Sequence, residues 1–227
     1  MQLQKIDERL LAVSKYINNN SIVADIGCDH GKLSVFLVQN NIAKKVIAID
    51  VNVEPLNKAK TRILKLELNE KIDCRLGDGL LALKENEVND IVIAGLSGIT
   101  ISKILSSVNW VKNNLLNFIF VPASKNDYLR IWLCENGYEI KSETPVLAKG
   151  RYYAVMNVVY TGKVIKPTQE FIALGLCINQ KGKEANGLKK KVLTQLKKEL
   201  QGKTIDKRYS ENEIEEIKIL IEKLEKG

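Results

Sequence analysis

Short, nearly continuous apolar runs alternate along the chain with longer segments whose apolar residues recur every three or four positions. The runs "SIVADIG", "KVIAID", "IDCRLGD", "NDIVIAG" and "NFIFVPA" start at residues 21, 45, 72, 89 and 117 and are rich in Val and Ile. Strands without an inside–outside alternation are those covered on both faces. Between them, "KLSVFLVQNN" (32–41), "VEPLNKAKTRILKLEL" (53–68), "TISKILSSVNWVKNNL" (100–115) and "DYLRIWLCENG" (127–137) carry helical spacing. Strand and helix in turn predict a parallel sheet with crossover helices. Leu3, Ile6, Leu10, Val13 and Ile17 predict one more amphipathic helix over 3–17, ahead of the first strand.

After Gly137 the rhythm changes. "YEIKSETPVL" (138–147) and "RYYAVMNVVYT" (151–161) are separated by a connection too short for a helix, so the two strands are predicted to be antiparallel. A parallel sheet closed by such a pair is unlike the usual dinucleotide-binding dehydrogenase. It predicts the α/β, Rossmann-like Class I methyltransferase fold, with a mostly parallel seven-stranded sheet. The stretch 163–168, with Pro167, reads as a boundary between a methyltransferase domain (1–165) and a C-terminal antiparallel helical coiled-coil hairpin (166–227). Leu188, Val192, Leu196 and Leu200 form a stripe in its first helix, and Ile214, Ile217, Ile221 and Leu224 a heptad seam in its second. "QGKTIDKRY" (201–209) separates the two, and Ser210 with Glu213 makes a capping box for the last helix.

Composition narrows the picture. With 227 residues, 45% of them hydrophobic, the chain can bury a core for one domain and a modest appendage. No apolar run approaches the roughly 20 residues of a membrane helix. The start, "MQLQKIDERLLAVSKYI", is too charged for the core of a signal peptide, so a cytoplasmic location without membrane contact is expected. Cys28, Cys74, Cys134 and Cys177 form no C-x-x-C pair, which predicts mostly buried, reduced thiols and no metal centre. The net charge of +8 favours a polyanionic partner. Residues 168–208 hold ten Lys/Arg against four Asp/Glu, and 209–227 three against six. Either the two faces pair with each other in solvent, or the basic edge meets nucleic acid. Oligomeric state is left open, a monomer included.

The chemistry concentrates at strand ends. "VADIGCDHGKLS" (23–34) follows the first strand with the pattern D-x-G-x-x-x-G from Asp25 through Gly27 to Gly31, not the G-x-G-x-x-G of a pyrophosphate cradle. In an open α/β sheet this loop faces the ligand crevice. Asp25 and Asp29 repel a phosphate but welcome an ammonium, which S-adenosylmethionine carries; the competing reading is an aspartate serving as an ordinary helix cap. Asp50 closes the second strand, where an acid accepts ribose hydroxyls, and Asp78 in "GDGL" follows the third, placed for an adenine amine. Acids at three successive strand ends support one another. The fourth strand ends in "AGLSG" (94–98), without the Asn/Asp-Pro-Pro-aromatic run of many amino-methyltransferases. Gly95 and Gly98 either leave room for a flat base or serve as turn residues.

"RLLAVSKYI", "VADIGCDHGKL", "GDGL", "IVIAGLSG" and the closing strand pair with its helical hairpin resemble, in order and over nearly the whole chain, the bacterial tRNA adenine-N1 methyltransferases called TrmK. The resemblance implies S-adenosylmethionine as methyl donor and full-length, folded tRNA as substrate, modified at the adenine of position 22. It implies a cofactor site of Asp25, Gly27, Cys28, His30, Asp50, Val51, Asp78, Gly79, Leu80 and Gly95. The methyl-transfer region implied is Asp29, Gly95, Leu96, Ser97, Pro122 and Ser124. Ser97 stands where the family usually has glycine, and Ser124 where it usually has an amide. His30 is assigned to site architecture, because adenine N1 needs no imidazole to be a nucleophile. Asp29 either holds the cofactor ammonium or accepts from the target adenine N6.

For the RNA, Lys149 and Arg151 with the adjoining Tyr152 and Tyr153 interleave basic and aromatic groups, as phosphate contact and stacking require. Tyr in a strand is otherwise simply a good strand former. The hairpin cluster Lys189, Lys190, Lys191, Lys197 and Lys198 is the second surface. Arg9 either reaches a phosphate or pairs with a surface acid. The alternatives in function are a small-molecule methyltransferase and a noncatalytic RNA-binding module on the same scaffold.

Overall fold

The computed structural model describes residues 3–206 and 208–226. Seven strands form one sheet: β1 (Ser21–Ile26), β2 (Ala43–Asp50), β3 (Ile72–Leu76), β4 (Asp90–Ala94), β5 (Asn117–Val121), β6 (Tyr138–Ala148) and β7 (Arg151–Tyr160). Their order is β3-β2-β1-β4-β5-β7-β6. The first five run parallel, and β7 is antiparallel to both β5 and β6. Strand order reverses between β1 and β4, which opens a crevice at the carboxyl ends of these strands. The fold is the Class I methyltransferase fold anticipated from the alternation of runs, with β7 inserted between β5 and β6.

Helices α1 (Glu8–Ser14), α2 (Lys32–Gln39) and α3 (Val53–Lys65) cover one face; α4 (Gly98–Ser106) and α5 (Asn126–Glu135) cover the other. The apolar residues sort accordingly. Val23, Val46, Val92, Ile119 and Val155 pack with Val13, Leu37 and Leu56, whereas Ala24, Ile47, Ile91, Phe118 and Met156 pack with Ile101 and Leu129. Both faces of the central strands are therefore dry, as their unbroken apolar character requires.

The chain continues into α6 (Gln169–Leu174), a 3-10 turn (Gly175–Asn179), α7 (Lys183–Ile205) and α8 (Glu211–Lys226). The last two form an antiparallel hairpin, with Lys197 Nζ 2.7 Å from Glu225 Oε1 near one end and the Lys203 amine 5.0 Å from the Tyr209 ring near the other. Ser210 caps α8 as its sequence foretold: the Glu213 carboxylate accepts from the Ser210 amide at 2.9 Å and the Ser210 hydroxyl accepts from the Glu213 amide at 3.3 Å. Leu174, Cys177, Leu188, Leu220 and Leu224 join the apolar cluster that contains Phe118 and Met156, so this segment shares a core with the sheet.

Three sequence boundaries shift. The first helix covers only Glu8–Ser14, because the Asp7 carboxylate accepts from the Leu10 amide at 3.1 Å and starts it there, while the Gln4 amide is tied to Gln39 Oε1 at 2.7 Å. The helix expected over 100–115 ends at Ser106; Asn113 Oδ1 accepts from the Leu115 amide at 2.9 Å, a local turn that competes with helix. The first hairpin helix runs through Gly202 to Ile205, since one glycine costs only about 1 kcal/mol and Lys203 pairs with Glu199 one turn back. Lys207, counted above among the cations of the basic stretch, lies outside the described residues. Cys28, Cys134 and Cys177 are buried free thiols and Cys74 is half-buried. Among the described residues no helix is long and apolar enough to cross a membrane.

Candidate active site

The loop after β1 turns on left-handed backbone at Gly27 (φ 71°), Asp29 (φ 52°) and Gly31 (φ 65°). The amides of Gly27 and Cys28 both donate to the Ile49 carbonyl, at 2.8 and 3.0 Å, which pins the loop to the end of β2. A side chain at Gly31 would press on Ala59 Cβ at 3.1 Å, so glycine lets α2 and α3 approach each other.

Three carboxylates share this corner. Asp25 is buried, and its Oδ2 accepts from the Ser34 hydroxyl at 2.6 Å. Burial, opposed by the Ser34 bonds and reinforced by the nearby charges of Asp50 and Asp29, pushes the Asp25 carboxyl up to about 6. Asp50 is buried as well; its two oxygens accept from the amides of Asp29 (3.1 Å) and Asn52 (2.9 Å). An ionised carboxylate has about four acceptor sites, which leaves about two on Asp50 for a ligand. Asp29 keeps a side chain 69% exposed, 3.4 Å from His30 Nε2. The neighbouring Cys28 thiol is driven far up by burial and then by the same three aspartates. Among the described residues no Lys or Arg forms an ion pair with Asp25, Asp50 or Asp78.

Asp78 is exposed and precedes the 3-10 turn Gly79–Ala82 without capping it, so its carboxylate is not used by the turn. Gly79 (φ 55°) and Leu80 are buried behind it, and a side chain at Gly79 would meet Ile104 at 3.1 Å. Val51 is exposed at the end of β2.

At the end of β4, Gly95 has φ 90° and is exposed; the nearest atom to a side chain there would be Arg9 Nη1 at 3.5 Å. Leu96 faces the Gly27 loop at 3.8 Å, and its carbonyl accepts from Ala123 at 2.8 Å. Ser97 caps α4, accepting from the Thr100 amide at 3.1 Å with φ −71°, an ordinary conformation. A glycine is thus dispensable at 97. It is not at 98, where any side chain would run into the Lys125 carbonyl. Pro122 is buried and Ser124 exposed, with the Ser124 carbonyl accepting from the Gly98 amide at 2.9 Å.

The substrate-side residues divide. Arg9 lies with Cζ 5.4 Å from the centre of the Tyr153 ring, its Nη2 3.5 Å from Asp7, and its buried Nε without a partner. Lys149 and Gly150 form the two-residue turn between β6 and β7, both at positive φ, and Lys149 Nζ is 3.8 Å from Asp7. Arg151 is exposed. Tyr152 is half-buried and packed against Gly187 of α7, so closely that a side chain at 187 would collide with its ring. The neighbouring Tyr153 sits on the opposite face of the sheet, against the cluster of α1, and receives Lys191 Nζ at 6.0 Å as well as Arg9. Lys191 also donates to the Tyr152 carbonyl at 2.8 Å, whereas Lys189 and Lys190 make no such contact. Ser34, the partner of Asp25, carries no signal in the sequence, whereas Tyr153 and Lys191 stand among the residues expected to meet RNA. The period-two alternation of a strand puts Tyr152 and Tyr153 on opposite faces of the sheet.

A twisted parallel sheet with glycine turns and unpaired acids at three adjacent strand ends defines a Class I methyltransferase. Residues 6–156 match the family model described as a methyltransferase domain. The tRNA (adenine(22)-N(1))-methyltransferase of Bacillus subtilis is 34% identical over 152 residues, an alignment that spans 67% of this chain and 64% of the relative. In structure, the B. subtilis m1A22 tRNA methyltransferase TrmK superposes with TM-score 0.81 at 26% identity, covering 98% of this chain and 97% of that one. TrmK of M. capricolum, solved in complex with S-adenosyl-homocysteine, gives 0.75 at 28% identity over 97% and 96%. The chain belongs to the TrmK family.

Proposed function

We propose that this chain transfers a methyl group from S-adenosylmethionine to N1 of the adenine at position 22 of folded tRNA, in the cytoplasm. The observation that carries the reading is the crevice itself: Asp25, Asp29 and Asp50 crowd one corner, and among the described residues no Lys or Arg forms an ion pair with Asp25 or Asp50. That arrangement suits a ligand bearing an ammonium and a sulfonium and opposes a dinucleotide pyrophosphate. The family likeness to proteins of that activity points the same way.

The cofactor, when bound, supplies a methyl group on a positively charged sulfur. Asp50 offers its remaining acceptor sites to ribose hydroxyls, Asp78 accepts from the adenine amine, and Asp25 with Asp29 provides negative charge for the ammonium. Gly27 and Gly79 keep the backbone bare where the ligand passes. The nucleophile needs no activation, because adenine N1 already presents a lone pair at neutral pH. The protein's task is therefore alignment, which can supply most of the acceleration. Gly95, exposed and without a side chain, admits a flat base beside the crevice. With Ser97 committed to capping α4, Ser124 is the hydroxyl left to address the base edge. Asp29, with its side chain 69% exposed, serves either the cofactor ammonium or the N6 proton of the target adenine.

The test is incubation with labelled S-adenosylmethionine and two tRNA transcripts, one with adenine and one with guanine at position 22. Label recovered as N1-methyladenosine from the first transcript alone is expected. Label in a small metabolite, or cofactor binding without transfer to RNA, overturns the reading.

A further inference from the structure

Four cations converge beside the mouth of the crevice with a single carboxylate among them. Arg9 and Lys149 share Asp7, at 3.5 and 3.8 Å; Arg151 and Lys191 have no carboxylate partner among the described residues, and Lys191 lies close enough to Arg151 to feel its charge. Like charges held this close are kept together only by the fold or by an anion between them. Two of the four bracket one ring: the Arg9 guanidinium is 5.4 Å and the Lys191 amine 6.0 Å from the Tyr153 centroid. They arrive from opposite faces of the sheet, since Val13 of α1 packs in one apolar cluster and Leu188 of α7 in the other.

Neither cation is saturated. The Arg9 Nε–H is buried without an acceptor, an arrangement that costs free energy unless something accepts from it in use. Lys191 has three donors, and the Tyr152 carbonyl takes one of them. Burial, and then Arg151, pushes its amine below the usual lysine range, a shift that an approaching anion would oppose. Arg9 also places Nη1 3.5 Å from where a side chain at Gly95 would start, directly beside the strand end that admits the base.

We infer that Arg9, Tyr153 and Lys191 form a seat for a phosphodiester of the RNA backbone adjoining the target nucleotide, and that Lys191 carries the α7 contribution in place of Lys189 and Lys190. The inference rests on the RNA reading above and adds the residues that grip the strand while the base leaves its stack. Because the seat is built from α1, β7 and α7 together, it lets the hairpin and the crevice hold one stretch of RNA.

The experiment compares wild type with Lys191→Met and Arg9→Met, and with Lys44→Met as a variant of equal charge loss at the opposite end of the sheet. For each, S-adenosylmethionine affinity is measured by calorimetry, tRNA affinity over a salt series, and methyl transfer against tRNA concentration. Expected for Lys191→Met is a KM for tRNA raised about tenfold and a salt slope smaller by about one, with cofactor affinity unchanged. Lys191→Arg should recover most of the slope. A Lys191→Met slope and KM equal to those of Lys44→Met overturns the inference, while tRNA methylation by the wild type would stand. Should Lys191→Met fail to fold, Arg9→Met carries the same expectation and the same refutation. Absence of tRNA methylation in the wild type would instead refute the underlying function.

Discussion

Two groups of buried carboxylates, one in the crevice and one beneath the hairpin, show how the same side chain becomes a binding site or a fastening. Glu143 of β6 faces Arg130 of α5, with side chains 0% and 1% exposed; Oε1 accepts from Arg130 Nη2 at 2.9 Å and Nε at 3.2 Å. Arg130 Nη1 then donates to the carbonyls of Ile172 and Ala173 at 3.0 and 3.1 Å, and Glu143 Oε2 accepts from the Leu176 amide. Gly175 lacks a side chain because any would strike that carboxylate. Every charge is neutralised inside the protein, and the product is a joint between the sheet and the segment leading to the hairpin. In the crevice, Asp25 and Asp50 are nearly as buried, yet their partners are a hydroxyl and backbone amides. Negative charge is left over, and it can be spent on a ligand.

The largest effect that would break this comparison lies at the fastening. Glu143→Ala strands a buried guanidinium and should cost about 3–5 kcal/mol in urea denaturation, with the apolar pair Arg130→Met, Glu143→Leu recovering much of it. A loss below about 1 kcal/mol would mean that the pair is not what holds the hairpin.

The crevice should behave oppositely with pH. The Asp25 carboxyl titrates near 6 in the folded chain against 3.8 for the unperturbed group, so the folded state binds the extra proton between those values. Stability from this group is present in full below about 4 and falls as pH rises through about 6. The span is at most about 3 kcal/mol. Asp25→Asn should remove that slope, read from denaturation midpoints at pH 4 and pH 7. Cofactor affinity should move the other way in the wild type, weakening as pH drops through about 6. A flat stability difference between the two proteins would place Asp25 with the neutralised group.

The smallest effect sharpens the border between the two kinds of residue. Ser97 stands among methyl-transfer residues by sequence but behaves as a helix cap. Ser97→Ala should lower stability by about 1 kcal/mol and Ser97→Gly by a few tenths, measured by thermal melting. Equal losses for both would show that the hydroxyl does more than cap.

Much of this was legible in the chain. Val- and Ile-rich runs separated by helical periods imply a doubly covered parallel sheet, and the acids after "IVADIG", "VIAID" and "CRLGDGL" mark its ligand edge. Which layer Tyr152 and Tyr153 each join was not legible, because adjacent strand residues look alike in composition while facing opposite layers. The short first helix was hidden for a related reason: Asp7 starts it through a single hydrogen bond that spacing does not register.

Element order, the acidic strand ends and the capping box were determined by the sequence itself, since each depends on neighbours a few residues apart. The tertiary structure alone decided which acids stay uncompensated. Asp25, Asp50 and Glu143 are chemically near-identical, but counter-charge depends on Arg130 reaching Glu143 from another element, whereas among the described residues no Lys or Arg pairs with Asp25 or Asp50. The pairing of Arg9 with Lys191 across Tyr153 was likewise decided in space, because 182 positions of chain separate two cations that meet at one ring.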